Sequence, residues 1–226
     1  MQTVLICITI LILIAFSIFG GKTAAIDFND ISEKIETAEV EKFDCKENAI
    51  SLPLNQIAKS TLMNHFGQDA QFVKSCPTLN QFYKQFVIPV DFKTSNGLFV
   101  TFYKDGKTRA CWGSTEPVHE NLIKATIFAS EDAIRNEYRH APIKASELNA
   151  IACQVTVITD KEPISSIHDL NPFTDGLLVQ ADGRGAVILP GEAASAHHQL
   201  VMAKLKAGIH SNQSCQLYRL KTNVYR

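Results

Sequence analysis

The sequence GLFVTFYKDGKTRACWG, at residues 97–113, predicts a β-hairpin around which the rest of the chain can be arranged. Its first half is rich in aromatic and β-branched residues, which is the composition typical of a strand. Asp105 and Gly106 supply a two-residue turn, because an Asp-Gly pair tolerates the positive φ angles that tight hairpin turns require. Residues 108–112 return as the second strand, so the chain is expected to contain antiparallel sheet.

Segments on either side of this hairpin show helical or strand patterns. Helical periodicity is found in three places: residues 54–66, a stretch opened by Pro117, and residues 192–207 before Gly208. Strands are predicted at residues 151–158 and 216–225, and a second hairpin with an Asp-Gly turn at residues 177–189. Hairpins interspersed with helices, without regular βαβ alternation, indicate the α+β class, with a mixed or antiparallel sheet and flanking helices.

The N-terminal segment is strongly apolar. Residues 1–21 carry no charged side chain, and an apolar run extends over residues 4–19. That length fits both a signal peptide and an uncleaved membrane anchor. We therefore expect residues 1–25 to be a signal peptide or N-terminal anchor, residues 26–50 a lead-in or tether, and residues 51–226 the folded domain. The protein is expected to be exported, to a periplasmic or extracellular location, or anchored in the membrane.

Cysteine usage and charge restrict the functional classes. The chain has 6 cysteines, and removal of a leader containing Cys7 would leave an odd number, which implies a free thiol or an intermolecular bridge. In an oxidising compartment, Cys45 and Cys76 are the pair expected to be bridged, and Cys153 and Cys215 are expected to be free. With 22 basic and 23 acidic residues, the chain lacks the basic character of a nucleic-acid-binding protein.

Taken in order, these segments resemble the AMMECR family over about residues 54–226. The family signature LRGCIG is matched at residues 108–113 by TRACWG, which retains Arg109, Cys111 and Gly113. Further similarity lies in the segments 114–117 (STEP), 139–142 (RHAP), 147–148 (EL) and 183–185 (GRG). The resemblance implies an α+β domain with an exposed groove near the signature, and Memo-type proteins or radical S-adenosylmethionine enzymes as partners. It implies no substrate and no cofactor.

Alternation along the second hairpin strand defines the candidate site. Side chains two residues apart in a strand project from the same face, so Arg109, Cys111 and Gly113 are expected on one face and Thr108, Ala110 and Trp112 on the other. A guanidinium beside the thiol would favour the thiolate, which could act as a nucleophile. The alternative is that Cys111 is a small buried side chain and Arg109 a structural hydrogen-bond donor.

Two other polar features have competing interpretations. Glu116 could serve in acid–base chemistry, but it precedes Pro117, where a carboxylate would suit the start of a helix. His197 and His198 are adjacent on a predicted helix and so diverge by about 100°. No metal site is therefore predicted, and His197 is expected on an apolar stripe with Ala193, Leu200 and Val201.

Two functional classes follow from these patterns. The first is an exported or membrane-tethered module that binds an unknown ligand or protein in a groove near Arg109 and Cys111. The second is a cysteine-dependent enzyme in which Cys111 is the nucleophile, Arg109 activates it and Glu116 or a distant histidine acts as base. A structural copy with a drifted signature is a third interpretation, and the sequence alone does not decide among them.

Overall fold

The computed structural model describes residues 50–68 and 78–226. The predicted leader, nearly all of the predicted tether and the expected Cys45–Cys76 bridge lie outside the described residues. Among the helices that are described, none has both the length and the apolar character needed to cross a bilayer.

The described residues form helices and strands in an α+β arrangement, which confirms the predicted fold class. The α-helices are α1 (Leu54–His65), α2 (Leu79–Tyr83), α3 (Leu122–Arg135) and α4 (Ala196–Ala207), and short 3-10 helices cover Val90–Phe92 and Ala145–Ala150. The strands are β1 (Leu98–Lys104), β2 (Lys107–Ser114), β3 (Ile151–Ile164), β4 (Gly176–Ala181), β5 (Arg184–Ile188) and β6 (Gln216–Tyr225).

The strands form a sheet in the order β2-β1-β3-β6-β4-β5, and all of its neighbouring pairs are antiparallel. The long strands β3 and β6 join the two predicted hairpins, β1–β2 and β4–β5, at the centre. Both hairpins turn through an Asp-Gly pair with positive φ, at Asp105 (52°) and Gly106 (72°) and at Asp182 (52°) and Gly183 (73°). These angles are those of the turns that match the twist of the paired strands, which confirms both predicted hairpins.

Apolar side chains cover the two faces of the sheet. On one face, α1 and α3 pack against β1–β3, α2 packs against α3, and α4 packs against β4 and β5. Members of these clusters include Leu54, Phe82, Val100, Phe102, Ile127, Leu177, Val179 and Ala203. The opposite face carries a smaller cluster of Ile158, Leu178, Val187, Leu189 and Leu220, with Phe99, Cys111 and Tyr218 partly buried against it. Complete burial of a side chain such as Phe102 stabilises the fold by roughly 1.5–3 kcal/mol.

Two helix starts differ from the sequence-based prediction. Helix α3 begins at Leu122, not at Pro117, because the side chain of Asn121 caps it by accepting the backbone N–H of Lys124 at 2.9 Å. Helix α4 begins at Ala196, where the hydroxyl of Ser195 accepts the N–H of His198 at 3.1 Å.

The predicted apolar stripe on α4 is also wrong. His197 is exposed, and Val201 is 48% exposed. The helix instead buries Gln199 and Ala203 against the sheet. Gln199 can be buried there because its side-chain amide donates to the carbonyl of Asp175 at 2.9 Å.

Candidate functional site

A groove lies where the two outer strands of the sheet approach each other. Strands β2 and β5 are at opposite ends of the strand order, yet both line one depression of about 510 Å³. The sheet therefore curls like part of a barrel and leaves this gap between its edges. We call it the edge groove; its lining comprises Phe99, Cys111, Trp112, Gly113, Ser114, Thr115, Glu137, Tyr138, Arg139, Leu178, Gln180, Gly185, Ala186, Val187, Leu189, Glu192 and Lys206.

The β2 side of the edge groove is held by an ion pair that follows α3. The backbone N–H of Cys111 donates to Oε2 of Glu137 at 3.1 Å, and Nη2 of Arg139 donates to the carbonyl of Cys111 at 3.3 Å. Arg139 also donates to Glu137, through Nε at 2.8 Å. The two side chains thus satisfy backbone groups that an edge strand would otherwise leave unpaired.

The charge of Glu137 is stabilised by these bonds. Burial by itself would raise the pKa of this carboxyl, but the bonds from Arg139 and from the Cys111 N–H outweigh burial and lower the pKa to about 2. Glu137 is therefore an anion at neutral pH, and its side chain is only 5% exposed.

The thiol of Cys111 lies in the groove beside polar groups from several segments. Burial raises its pKa above the ordinary value of 9.0, and the neighbouring Glu192 acts in the same direction, while a hydrogen bond from Thr101 and the charges of Lys206 and Arg139 act against them. The hydroxyl of Thr101 donates to Sγ at 3.3 Å. The net effect of these contributions is a raised pKa, so the thiol is neutral at neutral pH.

The expected pairing of Arg109 with Cys111 is wrong, because a β-bulge interrupts the alternation. Phe102 of β1 lies opposite Ala110 and Tyr103 lies opposite Thr108, so Arg109 is the extra residue on β2. Beyond the bulge the alternation holds. Ala110 and Trp112 contact the larger core, and Cys111 packs against the cluster on the opposite face.

Arg109 instead fixes the segment that precedes β3. Its guanidinium makes two bonds to the Glu147 carboxylate, from Nε at 3.1 Å and from Nη2 at 3.0 Å. It also donates to the carbonyls of Ala141 at 2.6 Å and Pro142 at 2.9 Å. The bonds from Arg109 and Lys104 hold the pKa of Glu147 well below its usual range. This geometry agrees with the structural interpretation of Arg109.

Glu116 lies apart from both Arg109 and Cys111. It is exposed just after β2 and pairs with Lys161 of β3, so it does not cap α3 as expected. The structure therefore places Cys111 alone of the three candidates in the edge groove. The catalytic roles suggested for Arg109, Cys111 and Glu116 are still predictions.

Several groove residues were missed by sequence reasoning. Lys206 of α4 donates through Nζ to the carbonyl of Val187 at 2.9 Å, and Oε2 of Glu192 accepts the N–H of Leu189 at 2.9 Å. Tyr138 borders the groove with 86% of its surface exposed. No local motif marks these side chains, because β5, α4 and the loop after α3 meet only in the folded chain.

The groove continues past this polar cluster. A second depression of about 380 Å³ shares Cys111, Arg139, Glu192 and Lys206 with the first and extends toward Tyr103 and Met202. Within residues 50–68 and 78–226, no group of three or more His, Cys, Asp or Glu side chains is placed to hold a metal ion.

Comparison with known proteins gives the chain its family. It is 32% identical to a protein from Thermotoga maritima over 139 residues, which is 60% of this chain and 80% of the relative. It is 34% identical to a protein from Methanothermobacter thermautotrophicus over 149 residues, which is 62% of this chain and 76% of the relative.

The fold is similar to that in the crystal structure of an uncharacterized protein from Pyrococcus horikoshii. The TM-score is 0.60 at 20% identity, and the similarity covers 76% of this chain and 88% of that one. The AMMECR1 family model matches residues 55–226. The resemblance seen in the signature hairpin is thereby confirmed, and the chain belongs to the AMMECR1 family.

Proposed function

We propose that the domain is a binding module whose ligand occupies the edge groove. The observation that carries this proposal is that both edge strands of one sheet, β2 and β5, line a single depression. Its volume of about 510 Å³ falls in the range of roughly 300–1,000 Å³ that is common for small-molecule sites. A ligand there would contact both edge strands at once.

The lining indicates the chemistry of the ligand. Phe99, Leu178, Val187 and Leu189 provide an apolar floor, and Lys206 lies at its rim. The Lys206 ammonium donates to the backbone carbonyl of Val187, and it forms no ion pair with any carboxylate of the described residues. A ligand with an apolar body and a carboxylate would bury its body on the floor and supply the missing anion.

Binding is better supported than nucleophilic catalysis. A cysteine nucleophile reacts as the thiolate, and the environment of Cys111 raises its pKa. Arg109, the residue expected to activate the thiol, donates its hydrogen bonds to the carboxylate of Glu147 instead. The thiol is therefore proposed to contact the ligand without reacting with it.

Tryptophan fluorescence tests this proposal, because Trp112 lines the groove and is the 1 tryptophan in the sequence. We expect octanoate to change the emission saturably and octanol, its neutral counterpart, to bind at least about tenfold more weakly, since a charged hydrogen bond contributes roughly 1.5–3 kcal/mol. Lys206→Ala should abolish the preference for the acid. Lys107→Ala, at the exposed β1–β2 turn, is the matched control and should keep it. Equal binding of acid and alcohol by the wild type would contradict the proposed ligand class.

We also propose that residues 1–25 carry the domain out of the cytoplasm or tether it to the membrane. The support is the uncharged, apolar stretch of residues 1–21. Cell fractionation of the full chain and of a variant lacking residues 1–25 tests this. We expect the full chain in the membrane or exported fraction and the shortened chain in the cytosol; an unprocessed full chain in the cytosol would contradict it.

A further inference from the structure

A smaller cavity lies on the helix side of β2, away from the floor of the edge groove. It has a volume of about 220 Å³, and we call it the helix cavity because α3 forms one wall. Ala125, Ala129 and Asp132 of α3 are spaced i, i+4 and i+7, so they share the stripe that faces β2. Trp112 and His119 also line the cavity. The two alanines leave the space that larger side chains would fill.

Asp132 differs from Glu116, which also lines this cavity, and from the neighbouring Glu120 and Glu131. Glu116 pairs with Lys161, Glu120 with Lys124, and Glu131 with His65 and Arg135. Asp132 accepts a hydrogen bond from the side chain of Asn136 at 2.9 Å, and it forms no ion pair with any residue that the structure describes. Burial and, secondarily, the nearby Glu131 raise its pKa. The cavity therefore presents a partly buried carboxylate to which the described residues supply no countercharge.

Two rings lie beside this carboxylate. The His119 ring stacks on Phe128 with centroids 4.8 Å apart, and burial, aided by Lys124, lowers its pKa. It is thus a neutral ring at pH 7, and a nitrogen that carries no proton can accept a hydrogen bond. Trp112 offers an indole, the aromatic side chain that attracts cations most strongly.

We propose that the helix cavity is a second ligand site and that it binds a small organic amine. The ammonium group would pair with Asp132 and donate to His119, while the apolar part would pack against Trp112, Ala125 and Ala129. The cavity is smaller than the roughly 300 Å³ at which drug-sized sites begin, which restricts the amine to a compact molecule. The proposal does not depend on the ligand proposed for the edge groove. The two linings share Trp112, Gly113 and Ser114, but Asp132 and His119 line the helix cavity and not the groove.

The test compares benzylamine with benzyl alcohol, its neutral counterpart, on the protein as purified from cells. Trp112 lines both depressions, so its fluorescence reports only that an amine binds. The amide signals of Ala125 and Ala129 in ¹⁵N-edited NMR spectra show that it binds in the helix cavity. We expect benzylamine to shift these signals saturably and to bind at least tenfold more tightly than the alcohol. Asp132→Asn should remove that preference, and Asp169→Asn, an exposed carboxylate elsewhere, should keep it.

Three results would overturn the proposal. They are equal affinity of the wild type for amine and alcohol, unchanged amine binding by Asp132→Asn, and amine-induced shifts at Val187 of the edge groove instead of at the two alanines. If Asp132→Asn does not fold, the comparison of the two ligands on the wild-type protein still decides the matter.

Discussion

The backbone N–H of Cys111 on the edge strand β2 donates to the carboxylate of Glu137 at 3.1 Å. A side chain from the loop after α3 thus takes the position that a neighbouring strand would occupy. Arg139 accompanies it and binds the carbonyl of the same residue. The signature hairpin is therefore anchored by its flanking loop, and the groove that the hairpin borders keeps a fixed wall.

Glu137→Gln is expected to lower the free energy of unfolding by roughly 1–3 kcal/mol at pH 7, since one pKa unit corresponds to about 1.4 kcal/mol. The folded-state pKa is about 2, below the ordinary value of 4.5. This contribution is therefore present above pH 4.5 and is lost as the pH falls toward 2. Urea unfolding from pH 7 to pH 2 measures it. Glu120→Gln, in an exposed ion pair with Lys124, is the control and should change the stability much less.

Arg109→Lys is expected to destabilise the fold by about 2–3 kcal/mol, because lysine cannot make the two-pronged contact with Glu147 and also reach two carbonyls. Urea unfolding measures the loss, and Arg135→Lys, whose 64% exposed side chain pairs with Glu131 on α3, should change little. The alkylation rate of Cys111 should stay the same in Arg109→Lys, as followed by mass spectrometry of its peptide. A large change in that rate would show that the guanidinium does act on the thiol.

The alkylation of Cys111 by iodoacetamide should be slow at neutral pH. Burial raises the pKa of this thiol above 9.0, so the thiolate should form, and the rate should rise, only above that pH. Cys153, whose pKa burial raises to about 12, serves as the internal reference and should react more slowly still. A midpoint for Cys111 below 8.5 would favour the enzyme hypothesis over the binding module.

Gly113→Ala should destabilise the fold by about 3 kcal/mol, toward the upper end of what overpacking usually costs. A Cβ atom at this position would lie 2.1 Å from the carbonyl oxygen of Leu98 and 2.6 Å from Cα of Phe99, so the backbone of β1 would have to move. Gly183→Ala is the matched comparison. Its φ is +73° but nothing lies within 4 Å of the added atom, so only about 1–2 kcal/mol is expected. Thermal unfolding of both variants shows whether Gly113→Ala is the more destabilised of the two.

Local patterns were enough to predict the hairpins, because turn chemistry at Asp105-Gly106 and Asp182-Gly183 and strand composition lie within a few residues of each other. They were not enough to place Arg109, since a bulge depends on how β1 pairs with β2 across the turn. Helix α3 was predicted to start at Pro117, but it starts at Leu122 because the side chain of Asn121 caps it there. A groove near Cys111 was an expectation from the family resemblance, not from local patterns. Its wall at Val187 and Lys206 could not be predicted, because β5 and α4 reach β2 only in the folded sheet.

The binding proposal is tested most directly by NMR titration of the ¹⁵N-labelled protein with octanoate. If one ligand occupies the gap between the sheet edges, the amide signals of Gly113 and Ser114 in β2 and of Ala186 and Val187 in β5 should shift together and follow a single saturation curve. Shifts confined to one of the two strands, or no saturable shift in either, would contradict the proposal that the two edges form one binding site.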